Sequence, residues 1–238
     1  MTARPGATLP AGRGTVRLSI IVPVLDEAAG IAAALDALAA PRAAGHEVIV
    51  VDGGSGDETL ALSRVRADAA FTGPRGRARQ MNAGAKQAQG DVLLFLHADT
   101  RLPGSGVERI ASAVSQGATW GRFDVRIEGR SPMLYVVAAL MNTRSRLTGI
   151  ATGDQAMFVR RDLFERIGGF PDQPLMEDVE LSRRLRARAA PACLHERVVT
   201  SGRRWESRGV WRTIVLMWRL RWRYWRGAAA DELARAYP

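Results

Sequence analysis

Glu47-Val48-Ile49-Val50-Val51-Asp52-Gly53-Gly54-Ser55-Gly56-Asp57-Glu58-Thr59 is the stretch on which the reading of the chain turns. Four consecutive β-branched or apolar residues between two acids read as a short buried strand, because such side chains are stiff and fit a pleated surface. Asp52 closes that strand, and the glycines after it let backbone approach a ligand closely. A helix then starts at Asp57. Ligands of open α/β sheets sit outside the carboxyl ends of the strands, so this strand, turn and helix make a nucleotide-sized pocket. Asp57 has a second reading, as a cap of the helix that follows. Asp52 has no such local role in the sequence.

The surroundings repeat the pattern. Residues 18–24 (LSIIVPV) read as a buried strand, and residues 27–40 as a helix stopped by Pro41. A helix from 57 to about 68, a strand at 69–72, a helix at 75–89, a central strand at 91–99 and a helix at 105–115 follow. This alternation predicts an α/β fold with a mainly parallel central sheet flanked by helices. Later segments read as a strand at 120–127, a helix at 132–147, a strand at 155–160, a helix at 178–189 and a basic helix at 208–226. The expected organisation is a leader over 1–17, one domain over 18–205 and a helical extension over 206–238.

Composition bounds the function. Of 238 residues, 47% are hydrophobic and 24% charged, which supports a sizeable core and excludes disorder throughout. Lys and Arg number 34 against 24 acids, a net charge of +10. The surplus is local: eight arginines against the single acid Glu206 lie between Ser201 and Arg226. The rest is nearly balanced, so nucleic acid is not an expected partner. Cys193 is alone, which rules out an intrachain disulfide and a cysteine zinc site and fits a cytoplasmic location. No apolar run approaches the ~18 residues of a spanning helix.

Three further segments carry chemistry. His97-Ala98-Asp99 ends the central strand, where alternate residues share a side, so His97 and Asp99 are expected to hold Mn²⁺ or Mg²⁺ together. Gly73 to Gly84 is rich in Gly and Arg at a helix start, which favours anions; Arg77, Gln80 and Asn82 are the donor-binding candidates there. Glu177-Asp178 places paired acids at another helix start, either as a general base or as plain helix-start charge.

Taken together, VIVVDGGSGDET, PRGRARQMNAGA, GDVLLFLHADT, MEDVELSRRL and SGRRW, in this order, resemble the family 2 glycosyltransferases, inverting enzymes of the GT-A fold. The resemblance covers about residues 18–205. It is closer still to a short bacterial subgroup associated with radical-SAM/selenium-domain genes, also labelled arsenosugar biosynthesis glycosyltransferases. The resemblance implies a nucleotide-diphosphate sugar donor and metal-assisted transfer of one sugar to an acceptor hydroxyl. It makes Asp52 the contact to base and ribose, and puts Pro23, Asp26, Glu27, Gly54 and Ala98 on the donor. Asp99 becomes the last acid of the metal motif and Asp178 the catalytic base, with Glu177 next to it. Arg204-Trp205 matches the end of a Gln-x-x-Arg-Trp motif. Two departures stand out: His97 replaces the first acid of the metal motif, and Ser201 replaces the glutamine. The acceptor, a small molecule, a lipid or a protein, is expected near Gly153, Asp154 and Gln155.

A nucleotidyltransferase or a dehydrogenase would carry a Gly-rich loop after the first strand, where Leu25-Asp26-Glu27 stands instead. A non-enzymatic membrane or nucleic-acid module would rest on the basic C-terminus alone. In the helix expected over 208–226, Trp211, Trp218, Trp222 and Trp225 run beside Arg212, Arg219 and Arg226. That pairing suits an anionic membrane surface; the competing reading packs one face on the domain and the other on a second subunit, as in a homodimer.

Overall fold

The computed structural model describes residues 16–237. Its elements run β1 (Leu18–Val24), α1 (Ala28–Asp36), α2 (Ala39–Ala43), β2 (Glu47–Asp52), α3 (Thr59–Arg64), β3 (Ala69–Thr72), α4 (Arg77–Gln87) and β4 (Val92–Phe95). There follow β5 (Thr100–Arg101), α5 (Gly106–Ser115), β6 (Trp120–Glu128), α6 (Met133–Thr148), a 3-10 turn (Gly153–Gln155), β7 (Phe158–Arg160) and α7 (Arg161–Arg166). The chain ends with α8 (Glu177–Arg186), β8 (Ala192–Ser201), α9 (Arg203–Arg208), α10 (Val210–Trp225) and α11 (Ala230–Arg235).

Eight strands form one sheet in the order β3-β2-β1-β4-β7-β6-β8-β5. The first four are parallel, as the alternation predicts. β7 enters antiparallel to both β4 and β6, β6 and β8 are parallel, and β5 is antiparallel to β8. The sheet is therefore mixed, with four parallel pairings and three antiparallel ones, because β7 reaches β4 from the 3-10 turn and not through a crossover helix. Period-two alternation splits each central strand between two cores. Ile20, Val22, Val50 and Leu94 face α1, α5 and α6, while Ile21, Ile49, Val51 and Phe95 face α4, α7 and α8.

Several local expectations change. The first helix ends at Asp36, and Pro41 lies inside α2, where a first-turn residue needs no amide donor. The helix expected from 57 starts at Thr59. The central strand stops at Phe95, so His97, Ala98 and Asp99 lie in the turn beyond it. Of the leader expected over 1–17, residues 1–15 lie outside the described residues. Val16 packs on the core, and the Arg17 carbonyl accepts from the amides of Asp91 and Val92. The segment expected as an extension packs directly on the domain: Leu220 of α10 and Leu233 of α11 bury Met176. Among the described residues, no helix is long and apolar enough to cross a membrane.

Candidate active site

The carboxyl ends of β2, β1 and β4 lie side by side in the sheet, and their loops build one edge of the site. Asp52 is buried, and its Oδ1 accepts from the Gly54 amide (3.1 Å), the Ser55 amide (2.9 Å) and the Ser55 hydroxyl (2.7 Å). It therefore has the local role that its sequence context hides: it folds the glycine turn, with Gly54 at φ +89°. Asp26, itself at φ +52°, accepts the Gly56 amide at Oδ1 (2.8 Å), and its own amide donates to Ser55 Oγ (2.9 Å). Asp57 accepts from the Thr59 amide (3.0 Å) and, across the loop, from the Ala28 amide at the start of α1 (3.1 Å). The cap reading of Asp57 is the one the structure supports. The Thr59 hydroxyl bond, with these amides, holds its carboxyl below the usual range.

Two expected donor contacts serve the scaffold instead. Gln80 is buried, and its Nε2 donates to the carbonyls of both Val24 and Val51 (2.8 Å each), strapping β1 to β2. Gly53 lies under the Gln80 amide, where a Cβ would sit 3.2 Å away. Asn82 donates to the Phe170 carbonyl and accepts from the Phe170 amide (2.9 Å each), which pins the 168–171 turn and occupies both ends of its amide. Arg77 does reach the site, with Nη1 3.9 Å from Glu177 Oε1. Pro23 pairs with Val51 at the strand end, and Ala98 packs on the core.

Opposite these loops stands the start of α8. Met176 precedes it in the left-handed region (φ +63°), a conformation that costs a non-glycine residue about 1–2 kcal/mol. Its burial against α10 and α11 holds it there. Asp178 Oδ2 accepts the Gly153 amide (2.8 Å). A narrow crevice runs between Phe95, His97, Gly153, Met157, Glu177 and Asp178. Glu177 is only 5% exposed. Burial and the charge of Asp178 push its carboxyl up to about 7, with Arg77 acting in the opposite sense. Glu177 is thus inclined to keep its proton.

In the 3-10 turn expected near the acceptor, the Gln155 side chain is held by its neighbours. Gln155 is fully buried; its Oε1 accepts from the Thr152 amide (3.2 Å) and its Nε2 donates to Ser145 Oγ (3.0 Å). Its amide is structural. Asp154 stays half-buried, and its Oδ1 lies 3.3 Å from His97 Nδ1. Burial raises its carboxyl, but the His97 bond and the charges of His97, Arg77 and Arg204 more than offset this and bring it below the usual range. The Cε1–Nε2 edge of the His97 ring lies against Gly153, where a Cβ would be 2.5 Å away. His97 thus lies against this turn, in the loop beyond β4 rather than along a strand with Asp99. Asp99 is exposed.

No group of three His, Cys, Asp or Glu side chains suited to a metal occurs among the described residues. A lone exposed carboxylate does fit an ion completed by phosphate oxygens, since Mg²⁺ is commonly bound by one or two carboxylates plus substrate phosphates.

The basic segment borders the donor side. Arg203 Nη2 lies 3.6 Å from Glu27 Oε2, Arg204 donates to the Tyr237 hydroxyl (2.7 Å), and Trp205 packs on the core beside them. Sequence reasoning misses Arg144 on α6. Its Nε and Nη2 are buried without a hydrogen-bond partner among the described residues. Burial lowers its pKa, opposed by the charge of Asp178. The signal in the sequence is the polar island Asn142-Thr143-Arg144-Ser145-Arg146 within an apolar helix.

The sequence pattern of glycosyl transferase family 2 matches residues 19–168, more than half of the chain. A PGL/p-HBAD biosynthesis glycosyltransferase of Mycobacterium tuberculosis is 31% identical over 172 residues, covering 64% of this chain and 62% of the relative. The chain thus spans about 62% of the length of the curated relatives it matches. Among solved structures, the mannosyltransferase PcManGT of Pyrobaculum calidifontis, in complex with GDP-Man and Mn²⁺, superposes with a TM-score of 0.56 at 26% identity. That match covers 82% of this chain and 60% of the other. S. aureus TarS, in complex with UDP-GlcNAc, gives a TM-score of 0.62 at 18% identity, covering 78% of this chain and 58% of the other. The fold is GT-A-like, a mixed sheet flanked by helices.

Proposed function

Because the chain belongs to glycosyl transferase family 2, we propose that it moves one sugar from a nucleotide-diphosphate sugar to an acceptor hydroxyl with inversion, assisted by Mn²⁺ or Mg²⁺. The observation that carries this reading is the Glu177-Asp178 pair at the start of α8, which shares a crevice with His97 beyond the end of β4 and with Gly153, whose amide bonds to Asp178. Asp178 takes the proton from the acceptor hydroxyl as its oxygen bonds to the anomeric carbon. The bond from that carbon to the diphosphate breaks on the opposite face, and the nucleoside diphosphate leaves with the electron pair. Gly153 orients Asp178 through its amide, and Arg77 and Arg204 place positive charge near the departing group. Asp99 is the residue that would hold the ion, which when bound supplies positive charge to the diphosphate. Asp52 and Asp26 fix the loop against which base and ribose would lie.

The narrower kinship, to the arsenosugar-type subgroup, belongs to the same proposal, as does peripheral attachment to a membrane through α10. So does a division into a catalytic body over 18–205 and a helical segment over 206–238. Asp178→Asn tests the core of it: binding of UDP- and GDP-sugars, followed by titration calorimetry with Mn²⁺ present, is expected to be kept. Transfer is expected to fall at least about a hundredfold, the usual minimum for loss of a general base. Near wild-type transfer by this variant would place the base elsewhere.

A further inference from the structure

α10 has two faces of opposite character. On a helical wheel at about 100° per residue, its inner face carries Thr213, Met217, Leu220 and Tyr224, with Thr213 and Leu220 buried. The outer face carries Trp211, Val215, Trp218, Trp222 and Trp225, each between 56 and 81% exposed. Arg212, Arg219 and Arg226 form the stripe next to these tryptophans, with no acidic partner among the described ion pairs. Between Val210 and Trp225 there is no Asp or Glu at all. Arg226 lies over the Trp222 ring, 5.1 Å from its centroid.

Water is a poor medium for four exposed indoles on one stripe, and soluble surfaces seldom show such a patch. A second copy of this chain fits it badly. An isologous pairing sets each arginine stripe against its own copy, with no acid on the helix to meet it. A bilayer with anionic headgroups meets both halves of the face. Indole sits at the boundary between headgroups and chains, and arginine pairs with phosphate above it.

The inner face ties this surface to the chemistry. Leu220 packs on Met176, the residue directly before Glu177 and Asp178, and the Tyr224 hydroxyl lies 3.3 Å from Gln173 Nε2. At the other end only Gly209 separates α10 from α9, which begins with the Arg203 that reaches Glu27. The helix thus packs on the residue that leads into the acid pair, and its opposite face is the tryptophan stripe.

Resting on the sugar-transfer reading above, we propose that the outer face of α10 docks on an anionic bilayer and that the acceptor hydroxyl reaches Asp178 from an amphiphile in that bilayer. The full chain is tested by co-sedimentation with vesicles of phosphatidylcholine alone and of phosphatidylcholine mixed with phosphatidylglycerol, at low and high salt. Sedimentation with the anionic vesicles, release by salt and a blue shift of tryptophan emission are expected. Arg212→Gln combined with Arg219→Gln weakens that binding about thirtyfold, from about a fivefold effect per arginine near an anionic surface. Trp218→Ser with Trp222→Ser abolishes it, with the thermal unfolding of the chain unchanged. Failure to sediment with anionic vesicles at low salt overturns the docking. A dimer in analytical ultracentrifugation that disappears in the double tryptophan variant, without vesicle binding, assigns the face to a second copy instead.

The acceptor half is read separately, by supplying labelled UDP- and GDP-sugars with vesicles of total bacterial lipid. Label in the chloroform phase supports it, and label only in water-soluble product overturns it. A chain that binds vesicles but no nucleotide-sugar refutes the sugar-transfer reading and leaves the docking standing.

Discussion

Glu177→Gln separates the electrostatics of the acid pair from any knowledge of donor or acceptor. Glu177 is 5% exposed, and its folded carboxyl is raised from 4.5 to about 7, first by burial and then by the charge of Asp178. An acid raised in this way favours the folded state fully only below its unfolded pKa. As pH rises from about 4.5 towards 7, the unfolded chain has given up the proton and the folded one still holds it, so stability falls. Above 7 the loss is constant and on the order of 3 kcal/mol, since each tenfold change in proton affinity is worth about 1.4 kcal/mol. Glutamine keeps the shape and removes the ionisation. The variant is therefore expected to gain on the wild type by about 2 to 3 kcal/mol between pH 5 and pH 8. In a chain of this length that is roughly 5 to 10 °C in Tm. Differential scanning calorimetry, or urea unfolding followed by tryptophan fluorescence, at the two pH values reads it directly. A difference between the two proteins that is the same at pH 5 and pH 8 would refute the claim that burial keeps the proton on Glu177.

Three more expectations follow from the same geometry. Asp99→Ala, or wild type in excess EDTA, should lose transfer while Tm stays nearly unchanged, because Asp99 is exposed and its carboxylate accepts one long bond, from Thr100 Oγ1 (3.4 Å); full activity in EDTA would remove the ion from the mechanism. Gly153→Ala puts a Cβ 2.5 Å from the His97 ring, so the turn shifts and the amide bond to Asp178 is disturbed. Transfer should drop with donor binding kept, and an unchanged rate would show that this amide does not orient the base. Gly84→Ala places a Cβ 2.5 Å from Ile21 Cγ2 and 3.1 Å from Val51 Cγ2, which should destabilise by about 1–3 kcal/mol in chemical denaturation, without altering affinity for nucleotide-sugars in the folded protein.

The parallel half of the sheet is open to reading because its strands announce themselves: EVIVVD and LSIIVPV are short, β-branched and bounded by acids or glycine turns. The far half is less legible. β8 escapes notice because Leu194-His195-Glu196-Arg197 interrupts its alternation where the register against β6 shifts at Phe123/Asp124. The run 91–99 hides the end of β4, since Leu96 is as apolar as the strand before it and its amide still bonds to the Ile21 carbonyl. Within the site, the acid pair and the strand-end aspartates are visible as residue types. Their division of labour is not. Gln80, Asn82 and Gln155 look like ligand contacts because they are polar and lie near glycines. Their partners are Val24, Val51, the Phe170 backbone, Thr152 and Ser145, and two of the three act across 29 to 88 residues of chain that sequence spacing cannot bridge.

The order of the strands also sets a timetable for synthesis. β1 to β4 are consecutive in the chain and make a four-stranded parallel sheet on their own, complete once Phe95 has left the ribosome. The free edge of β4, the wholly apolar Val92-Leu93-Leu94-Phe95, is then covered only by Phe158–Arg160 of β7. At about 5 to 20 residues per second, the intervening stretch takes roughly 3 to 12 s to emerge. For that interval a flat, greasy edge with unpaired amides faces water, the kind of template on which nascent chains pair with one another. Chaperone dependence and inclusion-body yield should therefore respond to translation speed between residues 96 and 157 more than to changes anywhere else in the gene.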